Sequence, residues 1–176
     1  GTGTYSSAGS TTCSDCGEGT YNNEEGKETC KNCPAGTANA NTKSTVETAC
    51  GDCGTGEYSL AGSSACSKCP IGKANANTKS TSASACVDCT AGTYGNEEGK
   101  ATCKNCPAGT ANGNTASTSE TVCADCGTGE YSLAGASSCS KCPAGKANGN
   151  TKSTSADACV DCTAGTFNDD QGQSAC

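Results

Sequence analysis

Pairs of cysteines recur along the whole chain, and this spacing constrains its fold more than any other feature. Nine Cys-x-x-Cys pairs begin at steps of 16, 17 or 20 residues, and Cys176 stands where a tenth would begin. Four steps span 73 residues, and Ser14–Cys86 is identical to Val87–Cys159 at 58 of 73 positions. A fixed period indicates an array in which each unit contacts its neighbours. We therefore predict a partial module at 1–13, blocks of four modules at 14–86 and 87–159, and the start of a third block at 160–176.

Few large apolar side chains are available to build a hydrophobic core. The 176 residues include 19 Cys and 24 Gly, whereas Val, Leu, Ile, Phe and Tyr together number only 13. Burying a large apolar side chain contributes roughly 1.5–3 kcal/mol, and ordering one residue costs about 1–2 kcal/mol of backbone entropy. Cross-linking must therefore replace a single core, as in cysteine-rich secreted proteins. The expected fold is a small disulfide-rich repeat protein, an elongated rod of short irregular β-hairpin modules with almost no helix.

Two types of module alternate within a block. We call a module the segment from the second cysteine of one pair to the first cysteine of the next. The Tyr-type module begins Cys-x-x-Gly-(Thr/Glu)-Tyr, as at Cys16–Tyr21, and the Pro-type module begins Cys-Pro-x-Gly-(Thr/Lys)-Ala-Asn, as at Cys33–Asn39. Because Pro fixes φ while Gly and Asn tolerate positive φ, these positions predict turns.

One aromatic residue recurs in the Tyr-type modules. We expect it to lie over a nearby disulfide as a local core; a platform on which a ligand stacks is the alternative. The recurrent residues are Tyr21, Tyr58, Tyr94, Tyr131 and Phe167.

Two disulfide schemes fit the spacing of the cysteines. In a ladder, the second cysteine of each pair joins the first cysteine of the next pair, which uses every cysteine from Cys16 to Cys176. In a crosswise scheme, neighbouring pairs join first to third and second to fourth, which leaves Cys159 or Cys162 without a partner. We favour the ladder. Its bonds are Cys16–Cys30, Cys33–Cys50, Cys53–Cys66, Cys69–Cys86, Cys89–Cys103, Cys106–Cys123, Cys126–Cys139, Cys142–Cys159 and Cys162–Cys176.

The ladder leaves Cys13 without a partner, and the position of Cys13 within the repeat explains why. Gly1–Ser6 resembles Gly54–Ser59, which directly follows Cys53. We therefore expect Cys13 to pair with a cysteine that precedes residue 1, in a longer array.

Several other classes of function are disfavoured by the composition. Zinc is the main rival to disulfides, because two nearby Cys-x-x-Cys pairs approach a zinc-ribbon spacing, but His is absent and the pairs do not group into separate ribbons. A net charge of −7 without Arg argues against binding nucleic acid. The carboxylate pairs Glu24–Glu25 and Glu97–Glu98 lie in polar turns without a His. We therefore expect no enzyme activity, no cofactor and no metal site.

No membrane span is expected either. No apolar stretch approaches the ~20 residues that a transmembrane helix requires.

An aspartate directly precedes each Tyr-type module. Three interpretations stay open for it: calcium ligation, a local hydrogen bond that forms a turn, and charge pairing between neighbouring rods. The aspartates are Asp15, Asp52, Asp88, Asp125 and Asp161.

The loops of the Pro-type modules are rich in hydroxyl groups. The chain has no Asn-x-Ser/Thr acceptor, so conventional N-glycosylation is excluded. Dense Ser and Thr in an extracellular array favour O-glycosylation, with a plain polar loop as the alternative. The candidate acceptors are Thr42, Ser44, Thr45, Thr78, Ser80, Thr81, Thr115, Ser117, Thr118, Thr151, Ser153 and Thr154.

The module motifs resemble the ephrin-receptor-like, growth-factor-receptor type of cysteine-rich repeat. Cys33–Thr37, Cys106–Thr110 and Cys89–Tyr94 carry this resemblance most plainly. The long, nearly identical repeats rich in Ala, Thr, Ser, Asn and Gly are also similar to ciliate surface immobilisation antigens. This second resemblance implies an abundant protein of the cell-surface coat.

The hypothesis from the sequence is an extracellular structural repeat protein of a cell-surface coat or filament. We expect it to be disulfide-laddered and O-glycosylated, and to assemble with itself head to tail or laterally. The alternative is a cysteine-rich receptor or adhesion ectodomain that binds a protein ligand, for which an unusual module with exposed aromatic or Arg anchors would be expected.

Overall fold

The computed structural model describes all residues from Gly1 to Cys176 and consists of short two-stranded hairpins. Each strand has two residues, and four 3₁₀ turns are the only helical elements. The hairpins are β1 (Thr4–Tyr5) with β2 (Ser14–Asp15), β3 (Thr20–Tyr21) with β4 (Lys31–Asn32), β5 (Thr37–Ala38) with β6 (Gly51–Asp52), β7 (Glu57–Tyr58) with β8 (Ser67–Lys68), β9 (Lys73–Ala74) with β10 (Val87–Asp88), β11 (Thr93–Tyr94) with β12 (Lys104–Asn105), β13 (Thr110–Ala111) with β14 (Ala124–Asp125), β15 (Glu130–Tyr131) with β16 (Ser140–Lys141), and β17 (Lys146–Ala147) with β18 (Val160–Asp161). The 3₁₀ turns are Glu47–Ala49, Ala83–Ala85, Glu120–Val122 and Ala156–Ala158.

The cysteine spacing explains why the hairpins form where they do. In every hairpin, the two residues between the cysteines of one pair form the second strand. They pair with the strand near the start of the module, as in the antiparallel register Glu57↔Lys68 and Tyr58↔Ser67. Isolated hairpins of this size are at best marginally stable in water, so each needs a further constraint.

Disulfides supply that constraint. The structure contains nine of them, and they join the same cysteines as the ladder scheme, from Cys16–Cys30 to Cys162–Cys176. The predicted disulfide-rich β-hairpin repeat with almost no helix is confirmed. Cys13 is unpaired and exposed. In eight bonds the first cysteine is at most 1% exposed; these are Cys16, Cys33, Cys53, Cys69, Cys89, Cys106, Cys126 and Cys142.

Contacts between Cα atoms divide the chain into two compact units. The first consists of Gly1–Pro70, Ala74–Val87 and Glu98–Thr102, and the second of Ile71–Lys73, Asp88–Glu97 and Cys103–Cys176. Every disulfide lies wholly within one unit, with four in the first and five in the second.

The chain has many small cores instead of one. Buried apolar residues are almost all cysteine, with a few alanines and the tyrosines Tyr21 and Tyr94. Tyr21 packs with Cys33 and Cys50, the disulfide of the following module. The expectation that a Tyr lies over a disulfide is therefore met at Tyr21, and the ring covers the neighbouring module's bond.

A glycine with positive φ precedes each first strand, and at most of these positions another module packs closely against it. Gly109 has a φ of +85°, in the left-handed region that L residues avoid. A Cβ at this position would lie 2.3 Å from the carbonyl oxygen of Lys152, which belongs to the second module further along. Gly145 has a similar φ of +80°, but a Cβ there would meet no atom within 4 Å. Substitutions at these two glycines therefore distinguish the cost of the backbone conformation from the cost of a steric clash.

We predict that Gly109→Ala destabilises its hairpin more than Gly145→Ala does. The Gly145 variant incurs only the cost of positive φ, about 1–2 kcal/mol. The Gly109 variant adds a clash between Cβ and the Lys152 carbonyl, worth roughly 1–3 kcal/mol. Hydrogen exchange of two equivalent amides measures the difference, since Cys126 donates to Gly109 O at 2.9 Å and Cys162 donates to Gly145 O at 3.0 Å. Equal acceleration of exchange in the two variants would contradict the close-packing argument.

Candidate functional site

The repeated site of this molecule is the junction between successive modules. Three backbone hydrogen bonds form at each junction, as between the modules that begin at Cys16 and Cys33. Gly19 N donates to Asn39 O at 2.7 Å, Asn22 N donates to Ser44 O at 2.9 Å, and Lys43 N donates to Cys16 O at 2.8 Å. Equivalent sets of three occur at eight successive junctions, and the first junction, between the modules of Gly3 and Asn22, has two. The modules are therefore joined by a polar contact that hardly varies along the chain.

A side chain adds a fourth hydrogen bond to most junctions. We call the residue that follows the first strand of each hairpin the cap residue. Asn39 Nδ2, for example, donates to Thr20 O of the preceding module at 3.0 Å, and Ser59 Oγ donates to Thr37 O at 2.8 Å. The cap residues that donate in this way are Asn22, Asn39, Ser59, Asn75, Asn112, Ser132 and Asn148. Asn168 stands at the corresponding position of the last module, where no strand precedes it, and donates to Lys146 O at 2.8 Å.

The cap side chains are buried, and this raises the value of their hydrogen bonds. Asn22, Asn39, Asn75, Asn112 and Asn148 are at most 2% exposed. A buried donor or acceptor that loses its partner costs about 1–3 kcal/mol. Sequence reasoning treated these asparagines as turn residues and missed their role. The available signal was their recurrence directly after five of the nine first strands.

Four serines of the candidate glycosylation set belong to the same network. Asn39 Nδ2 also donates to Ser44 Oγ at 2.8 Å, inside the protein. Ser44 is 8% exposed. The other three serines, Ser80, Ser117 and Ser153, are 7–8% exposed. The side chains of Ser44, Ser80, Ser117 and Ser153 are therefore buried in the folded chain, and each hydroxyl accepts a hydrogen bond from a cap asparagine. The eight candidate threonines are all exposed: Thr42, Thr45, Thr78, Thr81, Thr115, Thr118, Thr151 and Thr154.

One junction lacks the side-chain bond. Gly95 occupies the cap position that Asn22 occupies in the first block. Its backbone bonds are in place, since Gly72 N donates to Gly95 O at 2.8 Å and Gly95 N donates to Ser117 O at 2.9 Å. No side chain donates to Lys73 O there, so this junction keeps the backbone contact alone.

The tyrosines divide into two environments. Tyr94 is 6% exposed, and its hydroxyl donates to Glu120 Oε2 at 2.9 Å. The hydrogen bond to this carboxylate, followed by burial, raises the pKa of Tyr94. Burial and the neighbouring Glu47 carboxylate likewise raise the pKa of Tyr21. Tyr58 and Tyr131 are only half-buried.

The last aromatic residue has no such cover. Phe167 is 80% exposed. The local-core interpretation fits Tyr21 and Tyr94, the two tyrosines that are buried.

Each of the five repeated aspartates forms an ion pair with a lysine of the same chain. Asp15 pairs with Lys43 at 3.1 Å, and equivalent pairs join Asp52 to Lys79 and Asp125 to Lys152. The remaining two are Lys73–Asp88 and Lys146–Asp161. The partners are half-exposed or more, and such surface pairs contribute only about 0–1 kcal/mol. The structure brings together no group of three or more His, Cys, Asp or Glu that could hold a metal ion.

Glutamates of the polar turns, Glu24 and Glu97, also form ion pairs with lysines. Glu24 contacts Lys27 at 2.7 Å and also contacts Lys31, and these partners lower the pKa of Glu24 to about 2. Glu97 contacts Lys104 at 2.8 Å. The lowered pKa of Glu24 is unlike the raised pKa of a general acid.

An open groove lies on one Pro-type module of the second unit. It has a volume of about 550 Å³, and Pro107, Ala108 and Thr110 line one part of it. Its charged lining is already engaged, because Asp125 pairs with Lys152 and Glu120 accepts from Tyr94. The groove therefore offers no free charged group to a ligand.

Nine hairpins, nine disulfides and repeated junctions define a cysteine-rich repeat domain of the receptor-ectodomain type. The family described as "Tyrosine-protein kinase ephrin type A/B receptor-like" matches residues 3–50 and 79–123, which are more than half of the chain. The chain belongs to this family. Among curated proteins, none matches it significantly.

The family and the disulfides together indicate an extracellular location, because disulfides persist in oxidising compartments. No helix in the structure is long and apolar enough to cross a membrane.

We predict that Asn22→Gly loosens the first junction. The variant reproduces in the first block the cap residue found at Gly95, and it leaves Thr4 O without the Nδ2 donor that lies 2.6 Å away. The amide of Gly3, which donates to Asn22 O at 2.7 Å, should exchange with solvent on the order of tenfold faster, the equivalent of one lost buried hydrogen bond.

The matched control for this prediction is Asn23→Gly. Asn23 is the exposed neighbour, so its replacement adds the same backbone freedom without touching the junction. If both variants exchanged Gly3 at the same rate, the cap side chain would have no part in holding the junction.

Proposed function

We propose that this chain is a structural repeat segment of an extracellular coat or filament that assembles with itself. The observation that carries the proposal is the uniformity of the junctions. Eight successive junctions use the same three backbone hydrogen bonds, including the junction at which Gly95 replaces the cap asparagine. Equal units that meet through equal contacts suit an open, propagating assembly.

The energetics of the modules support a mechanical role. Each disulfide closes a loop with a sequence separation of 13, 14 or 17 residues. Closing a loop of this length stabilises a fold by roughly 3 kcal/mol in the chain-entropy model. Because every module has its own covalent bond, local damage to one module leaves the bonds of the others intact. Such a chain resists unfolding and proteolysis module by module.

The surface suits a decorated exterior. We propose O-linked glycans on the eight exposed threonines that flank the buried serines, such as Thr42 and Thr45 around Ser44. Glycans at these positions would recur with every Pro-type module. They would add a polar layer without disturbing the cap network. A coat of this kind is the role implied by the similarity to ciliate surface antigens.

Binding of a protein ligand by a receptor or adhesion ectodomain is the second candidate. The family match favours it, since ephrin-receptor-like repeats are named after a receptor. Exposed apolar side chains that could contact such a ligand include Leu60, Leu133 and Phe167, which are 62–80% exposed. They recur with the period or stand at the last module, and none is joined by an exposed Trp or Arg, the residues that dominate hot spots.

We predict that the secreted, oxidised chain forms filaments or sheets as its concentration rises. Repeated equal surfaces should give polymers without a fixed size, which analytical ultracentrifugation and negative-stain electron microscopy would detect. In the same sample, the intact mass should exceed the polypeptide mass by multiples of a hexose, with the sugars on threonine.

The control is the same chain after reduction and alkylation, which lacks the folded modules and should not assemble. Monodisperse particles at every concentration, together with saturable binding to one extracellular protein, would contradict the coat and favour the receptor. An unmodified intact mass would remove the glycans from the proposal.

A further inference from the structure

Two of the cap asparagines are followed by glycine. Asn112–Gly113 and Asn148–Gly149 lie in the second block, whereas the equivalent Asn39 and Asn75 of the first block are followed by alanine. The backbone nitrogen after an asparagine can attack the carbonyl carbon of the asparagine side chain. Glycine has no Cβ and great backbone freedom, so it permits this approach most readily. The chain thus has two reactive and two less reactive asparagines in equivalent structural positions.

The folded junction holds the reactive side chains away from this reaction. Asn112 Nδ2 donates to Ser117 Oγ at 2.8 Å and to Thr93 O at 3.3 Å, while Asn112 Oδ1 accepts from Asn114 N at 3.0 Å. Turning the amide towards the nitrogen of Gly113 would break these bonds. The side chain is also only 2% exposed, so water has little access to it.

Asn148 is held in the same way. Its Nδ2 donates to Glu130 O at 2.9 Å and to Ser153 Oγ at 2.8 Å, and its Oδ1 accepts from Asn150 N at 3.1 Å. Its side chain is 1% exposed. Both asparagines are therefore protected from attack by the following backbone nitrogen, and the protection comes from the junction hydrogen bonds that they form.

We propose that Asn112 and Asn148 are deamidation sites that react when their junctions open, which makes opening irreversible in the second block. This inference does not depend on the proposed coat function. It assigns a chemical modification to two residues whose structural role is to join modules.

The reaction needs only water and balances as follows. The nitrogen of Gly113 bonds to Cγ of Asn112, the bond from Cγ to Nδ2 breaks, and the amide proton leaves with Nδ2 as ammonia. The product is a five-membered succinimide. Water then adds to one of its two carbonyl carbons and breaks that carbon's bond to the ring nitrogen, which gives aspartate or isoaspartate. No oxidation or reduction occurs.

The product cannot rebuild the junction. A carboxylate has no N–H to donate, so it would face the carbonyl oxygen of Thr93, or of Glu130 at the second site, as one acceptor against another. Isoaspartate also lengthens the backbone by one carbon. An opened junction that deamidates therefore stays open.

The test compares the oxidised chain in neutral buffer with the same chain in concentrated urea without reductant. Each sample is digested, and aspartate and isoaspartate are measured by mass spectrometry at Asn39, Asn75, Asn112 and Asn148. In urea, Asn112 and Asn148 should deamidate at least about tenfold faster than in buffer, because urea opens the junctions. Asn39 and Asn75 should deamidate slowly in both solutions.

Two variants provide the matched controls. Gly113→Ala should slow deamidation at Asn112 in urea, and the added Cβ meets only Ser137 O at 3.7 Å, an ordinary contact. The reciprocal Ala40→Gly should make Asn39 a fast site in urea. Equal rates at Asn112 in buffer and in urea would overturn control by the junction. Equal rates at Asn39 and Asn112 in urea would overturn the role of glycine. The deamidation rates of the two variants in urea can be interpreted whether or not the variants fold in buffer.

Discussion

The disulfide within each module is the constraint on which the rest of the structure depends. A hairpin of two-residue strands buries too little surface to persist by itself. The bond from Cys33 to Cys50 closes one such hairpin and also gives Tyr21 of the preceding module a surface to cover. Cysteine thus acts as both the cross-link and the main buried apolar group. This is why a chain with 13 large apolar residues can be ordered along its whole length.

The junctions convert these separate modules into an array by polar contacts. In most globular domains, elements join through apolar faces, whereas here backbone amides, carbonyls and buried asparagines join one module to the next. The carbonyl oxygen of Lys152 approaches Gly109 so closely that only glycine fits there. Glycine, asparagine and serine therefore join the structural units of this chain, as leucine and valine do in an apolar core. Their hydrogen bonds are directional, and this fixes the same geometry at each junction.

The period, the hairpins and the shared position of the tyrosines could be predicted from the sequence because they follow from local spacing. The cap role of Asn39 could not, because its partner Thr20 lies 19 residues earlier and belongs to another module. The same limit applies to Ser44, whose burial and hydrogen bond from Asn39 are not visible in the local sequence. The positive φ of Lys43 is a third case, because that conformation is unusual for lysine and is imposed by the junction bond from Lys43 N to Cys16 O. Local propensity identifies the turns, whereas the contacts between modules are visible only in the folded structure.

Covalent bonds inside modules, in the ladder order, hold the array together. Digestion of the unreduced chain followed by mass spectrometry of the linked peptides tests this order directly, with zinc measured in the same material. We expect peptides that link Cys33 to Cys50 and Cys106 to Cys123, with no bound zinc. Crosswise links between neighbouring Cys-x-x-Cys pairs, or free thiols with about one zinc ion for every four cysteines, would contradict it.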